Sequence, residues 1–219
     1  MDVWATVGAV GSIAAAGIAA WAAYQSRISA QEANRAANSL AQIERDRRHS
    51  ELCPRFRVSC EPLGPADYQG VFRLRVQLAG PFALGWLDAL TETIRDDFHT
   101  RGEGQLTAGD PTREQIKQQI WGAYRFTPGT GPDEARAGDT GRETSYRAAL
   151  PVGEGLSYQL EPNPPPPWAT ERTPAQWRQE RGPVLRLAFQ AEREELGSWR
   201  LACEIDVGDA KTSVSVDAP

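Results

Sequence analysis

Histidine is almost missing from this chain: His49 and His99 are the only two in 219 residues, beside three cysteines and one methionine. Cys53, Cys60 and Cys203 form no C-x-x-C pair and no zinc spacing. The serines are scattered without a G-x-S-x-G elbow, and two histidines leave few bases to activate one of them. Gly129-Thr130-Gly131 lacks the Lys and Ser/Thr of a phosphate loop and opens no helix, so it reads as a turn. Asp96, Asp97 and His99 follow a strand, where solvated loop residues are ordinary, and His49 lies among Arg47, Arg48 and Glu51. Cys53 has Arg55 nearby but no histidine in register. No catalytic residue, cofactor or metal site is assigned. A net charge of −5 and a pI of about 5.2 argue against nucleic acid as the main partner.

Charge is the second absence. Val3 to Tyr24, VWATVGAVGSIAAAGIAAWAAY, has no charged side chain over 22 residues. As a helix it would reach roughly 33 Å, enough for a hydrocarbon core of about 30 Å. Trp4 lies at one end and Trp21 and Tyr24 at the other, where aromatic rings favour the headgroup level. Val3, Val7, Val10, Ile13 and Ile18 each favour insertion by roughly 0.3–0.6 kcal/mol, while the glycines, Thr6 and Ser12 oppose it. Insertion is favoured by a small margin. Gly8, Ser12, Ala16 and Ala20 form one small-residue stripe, and Gly11, Ala15, Ala19 and Ala23 its neighbour. Such stripes let helices approach closely in lipid and would support a homo-oligomer, although an alanine-rich segment generates much of this periodicity by chance. A cleaved signal peptide would want a basic n-region and a shorter apolar core. Ala20-Trp21-Ala22 still mimics a cleavage site, so that alternative stays open beside a buried soluble helix. The expectation is an anchor in the lipid bilayer over residues 3–24.

No Lys or Arg precedes the segment, whereas Arg27, Arg35, Arg45, Arg47 and Arg48 follow it. The positive-inside rule then expects a single-pass inner-membrane protein with Met1 outside and the C-terminal part in the cytoplasm. Proline is absent from Ile18 to Cys53, and Gly17 is the last glycine before Gly64. The helix is therefore expected to continue as a juxtamembrane stalk over 25–53, until Pro54 disfavours it. Ala33, Ala36, Leu40 and Ile43 give an a/d-like seam too short to define a coiled coil.

Beyond Pro54 the period changes to two. Phe56, Val58 and Cys60 alternate with Arg55, Arg57 and Ser59, and Phe72, Leu74, Val76 and Leu78 with Arg73, Arg75 and Gln77. A strand over Ala89–Arg95 is flawed by Glu92 on its apolar face, which predicts a sheet edge or margin. Asp110 and Pro111 predict the start of a short helix reaching Ile120, followed by a strand over Ala123–Thr127. Leu156, Tyr158 and Leu160 mark another strand. Thr173-Pro174-Ala175-Gln176 predicts a capped helix to Arg181. Leu185, Leu187 and Phe189 pair in pattern with Trp199, Leu201, Cys203 and Ile205 as a hairpin, and Thr212–Val216 reads as an edge strand. Some seven or eight strands with two short helices predict a mainly β fold over 54–219. The class expected is a β-sandwich, analogous to an immunoglobulin core, with Cys60 and Cys203 inward and reduced in a cytoplasmic domain.

One constellation stands apart: Trp121, Tyr124, Phe126, Pro164, Pro165, Pro166, Pro167, Trp168 and Trp177. Consecutive prolines prefer the polyproline II rod that aromatic grooves recognise, and here the same rod can pack on the domain's own tryptophans. Either way this region is the candidate binding surface.

The runs CPRFRVSCEPLGP (Cys53–Pro65), LTETIRDD (Leu90–Asp97), PTREQIKQQIWGAYRFTPGTG (Pro111–Gly131) and LPVGEGLSYQLEPNPPPPW (Leu150–Trp168) resemble a group of uncharacterised actinobacterial, Streptomyces-like membrane-anchored proteins. The resemblance implies one N-terminal span, a helical stalk and a β domain, and implies no activity. The function expected is an interaction or adaptor protein with an unknown protein partner. The alternatives are a membrane-disrupting effector whose helices assemble on a signal sensed by the β domain, and a cytoplasmic-face hydrolase.

Overall fold

The computed structural model describes residues 3–63, 70–95, 111–132, 137–169, 171–208 and 211–217, without the side chains of 3–20, 22, 113 and 117. The chain divides into two compact units, Met1–Glu51 and Leu52–Pro219.

The first unit is one helix, α1 (Val3–Glu51), unbroken over 49 residues and thus about 73 Å long. With no proline and no glycine after Gly17, nothing interrupts it. Its exposed face carries (i, i+4) contacts, Gln42 donating to Asp46 at 2.9 Å and Arg47 to Glu51 at 2.8 Å. Leu40 and Ile43 are 67% and 62% exposed. The helix ends at Glu51, two residues short of the expected stalk, because Leu52 already belongs to the core of the second unit. Among the described residues no helix is long and apolar enough to cross a membrane. The expected span lies almost wholly outside the described side chains, as do stripe residues Gly8, Gly11, Ser12, Ala15, Ala16, Ala19 and Ala20; Ala23 is exposed.

The second unit is mainly β, built from antiparallel sheets. In chain order its described elements are β1 (Arg55–Pro62), β2 (Phe72–Gly80), β3 (Trp86–Leu87), β4 (Ala89–Ile94), α2 (Arg113–Gln118), β5 (Tyr124–Phe126), β6 (Glu143–Tyr146), β7 (Leu150–Pro151), β8 (Gly155–Pro162), α3 (Pro174–Arg181), β9 (Val184–Arg193), β10 (Gly197–Asp206) and β11 (Thr212–Val216). One sheet has the order β11-β1-β2-β8-β5, a second β10-β9-β4-β6, and β3 pairs with β7. Alternation places each apolar set inward. Phe56, Val58 and Cys60 face Leu78, Val76 and Leu74 in register, and Leu201, Cys203 and Ile205 face Phe189, Leu187 and Leu185. These side chains join one core. Cys60 is buried and Cys203 half-buried, both as free thiols. The final strand lies at a sheet edge, as its pattern predicts.

Two local readings are corrected. The strand carrying Glu92 is not marginal: β4 lies between β9 and β6. Its inward carboxyl is tolerated there because hydroxyl groups meet it, not because water does. The helix expected from Asp110 starts later. Asp110 itself is outside the described residues, and Thr112 is the cap, its hydroxyl accepting from the Gln115 amide while the Gln115 side chain accepts from the Thr112 amide. The second capping box forms where the sequence places it, at Thr173 and Gln176, with Pro174 opening α3 and Arg181 closing it.

Candidate functional site

Three segments build the aromatic end of the β domain. Asn163, just past β8, donates through its side chain to the carbonyls of Ile120 and Gly122, the latter at 3.0 Å. Its backbone amide donates to Ala123 at 2.8 Å. These bonds staple the start of the proline run to the segment bearing Trp121. The run then turns, the amide of Ala169 donating to the carbonyl of Pro166. Pro166 is buried, Pro165 half-buried, and Pro164 and Pro167 exposed. α3 brings Trp177 underneath, fully buried at 0% exposure.

The rings form a series. Trp121 lies 6.5 Å from Trp168 and 6.1 Å from Trp177 between centroids. The Arg181 guanidinium sits 4.1 Å from the Trp177 centroid and 5.7 Å from that of Trp121. Arg172 approaches Trp177 at 5.9 Å and pairs with Glu180 at 3.4 Å. Burial lowers the Arg181 pKa from its ordinary value, Arg172 adds to the lowering, and Glu180 opposes it. A guanidinium held against two indoles is attracted by both ring faces and is already ordered. The Trp121 indole donates to Ile116, whereas the buried Trp177 indole nitrogen has no partner among the described residues.

Of the residues expected to form a binding surface, Trp121, Trp168, Trp177 and Pro164–Pro167 are thus brought together. Trp121 and Trp168 are half-buried, and Pro164 and Pro167 of the proline run are exposed. Trp177 is their support. Tyr124 is elsewhere in purpose: it is buried, packs edge-on against Phe72 at 5.4 Å, and donates to Val207 at 3.4 Å. The arginines escaped the sequence reading. Arg181 follows Trp177 by four residues on a helix, the spacing that stacks one side chain over another, and that signal was legible. Beside this stack a small cleft is lined by Ile94, Arg95, Gly122, Arg181, Leu185 and Arg186 among others. Arg186 there pairs with Glu204 at 2.7 Å.

A second polar cluster lies inside the core. Glu92 of β4, 0% exposed, receives the Tyr158 hydroxyl of β8 at 3.0 Å on each carboxyl oxygen and bonds the Thr144 hydroxyl of β6. Burial raises its pKa to about 7, and the bonds from Thr144 and Tyr158 counter part of that rise. The Tyr158 phenol is raised as well, by burial and then by Glu92. Glu92 falling between Leu90 and Ile94 was the signal for this cluster. Asp96, Asp97 and His99 lie outside the described residues, and among the described ones no three His, Cys, Asp or Glu side chains gather as a metal site would need.

No family model matches the chain, and no curated protein or solved structure matches it either.

Proposed function

We propose that this chain is a single-pass, membrane-anchored adaptor of the actinobacterial kind its sequence resembles. Residues 3–24 cross the inner membrane with Met1 outside, and α1 continues as a stalk. The second unit is a cytoplasmic β-sandwich of immunoglobulin-like character, offering the Trp121–Trp168–proline face to a protein partner. The observation that carries this reading is the indole series Trp168–Trp121–Trp177 with Arg181 stacked on it. Tryptophan and arginine dominate binding energy at interfaces, and a pair of half-exposed indoles on a fixed support loses little entropy when covered. Two exposed prolines beside them add rigid apolar surface. The one-sided arginines after Tyr24 support the orientation.

A photo-crosslinking residue in place of the exposed Pro167 of the full-length chain, in its native host, tests the face. Capture of a defined protein that is lost with Trp121→Ala supports the adaptor. Capture indifferent to Trp121→Ala, or none, overturns it. A cytoplasm-dependent reporter fused after Pro219 should be active, and activity of a periplasm-dependent one in its place reverses the topology. Growth arrest on overexpression that requires residues 3–24 would instead support the effector reading, in which the small-residue stripes assemble.

A further inference from the structure

The Glu92 carboxyl sits where a charge is most expensive, between two sheets and away from water. Among the described residues no cation compensates it. On β9 its register partner is Phe189, and on β6 it is Thr144. Across the core β8 supplies Tyr158, whose ring meets Phe126 of β5 edge-on at 5.6 Å. The titratable groups bearing on the cluster are Tyr158 itself and Tyr146 of β6, and no guanidinium or ammonium among the described residues acts on the carboxyl. Tyr158 and Thr144 each bring one hydroxyl hydrogen, and a protonated carboxyl brings a third that either hydroxyl oxygen can accept. The neutral form is therefore satisfied within the cluster, while the ionised form leaves a full charge supported by two neutral donors.

We infer that Glu92, held between the two sheets by Thr144 and Tyr158, is a proton-keyed latch: as the neutral acid it lets the layers pack, and on ionisation its buried, uncompensated charge strains that packing even though both hydroxyls still donate to it. Because the latch joins β4 and β6 of one sheet to β8 of the other, its release acts on the packing of the layers and not on a surface ion pair. The direction with pH follows from the raised pKa. The folded domain holds the proton to about 7, whereas the unfolded chain releases it near 4.5. The latch's contribution is complete below 4.5, declines from there to about 7, and is constant above. This is opposite in sign to the usual surface carboxylate.

The test is a pair of measurements on the full-length chain in detergent micelles. Near-UV circular dichroism should show the wild-type melting temperature falling, relative to Glu92→Gln, by roughly 5–10 °C between pH 5 and pH 8, since glutamine keeps the hydrogen bonds without a titrating group. Parallel curves for the two proteins would overturn the latch. Should Glu92→Gln fail to fold, carboxyl ¹³C NMR on wild-type protein labelled at glutamate decides the matter. One glutamate titrating near neutrality supports the proposal, and all of them titrating close to 4.5 overturn it. Tyr158→Phe removes a bond that favours the charged form, so that midpoint should rise further; an unmoved midpoint would show that this cluster does not control the proton.

Discussion

The ring of Phe56 on β1 stacks on that of Phe189 on β9, with centroids 5.3 Å apart and planes 19° from parallel. The two residues come from different sheets and are separated by most of the domain's sequence, so this contact joins the layers directly. Both are about 1% exposed. A double-mutant cycle with Phe56→Leu and Phe189→Leu should return a coupling of about 0.5–1.5 kcal/mol, the range for aromatic pairs beyond their buried area. Additive effects would mean that the rings merely fill space.

The hairpin β9–β10 fixes the phase of the inward face. Leu201 opposes Phe189 and is buried, while Arg200 opposes Gln190 and is exposed. Leu201→Ala should lower stability by about 2–5 kcal/mol, and Arg200→Ala by well under that. Denaturant midpoints of the two variants read the difference, and equal shifts would contradict the register.

Much of this was open to reading from alternation, and the exceptions have physical causes. Strands of eight to ten residues with arginine on one face and leucine, valine or phenylalanine on the other, such as β2, β9 and β10, repeat the period often enough to define both extent and phase. β3 and β7 have two residues each and β6 has four, too few for a period. Glu92 misled because burial of a carboxyl is costly unless partners wait for it, and Tyr158 and Thr144 come from strands remote in sequence. Trp121, Trp168 and Trp177 were recognisable as a group by composition. That Trp177 supports while Trp168 faces out depends on where α3 lands, which local pattern does not contain.

The thiols give a compartment test. Burial pushes Cys60 and Cys203 up to about 12, with Glu61 and Glu204 adding to it, and burial also raises Cys53, ahead of Asp217 and against Arg55. Thiolate is the reactive form, so all three should react slowly with a disulfide reagent at pH 8 in the folded protein. After denaturation, protein purified from its native host should yield three free thiols. A yield of one, with Cys60 linked to Cys203, would contradict a cytoplasmic domain.

Trp177 and Trp168 should part company on truncation. Trp177→Ala empties a fully buried site under Arg181 and should cost about 3–5 kcal/mol. Trp168 is half-buried, so its alanine variant should keep the melting temperature within a few degrees while losing the partner crosslink at the aromatic face. A large stability loss for Trp168→Ala would reassign it from binding surface to structural closure.

Two glycines with nearly the same backbone separate conformational strain from crowding. Gly129 and Gly141 have φ of +71° and +69°, a left-handed conformation that costs a residue with Cβ roughly 1–2 kcal/mol. At Gly129 an added Cβ meets nothing within 4 Å, so Gly129→Ala should show that backbone cost alone. At Gly141 the same atom would run into the carbonyl oxygen of Phe126, with the Arg125 side chain also close at 3.2 Å. That carbonyl belongs to β5, which holds its place by pairing with β8, and the amide of Phe126 in turn donates to Gly141 at 2.9 Å. Neither backbone can retreat without losing that bond. Gly141→Ala should therefore destabilise the domain by clearly more than Gly129→Ala, and urea midpoints of the two variants measure it. Equal losses would mean that the turn at Gly141 yields freely and that β5 is not pinned by it.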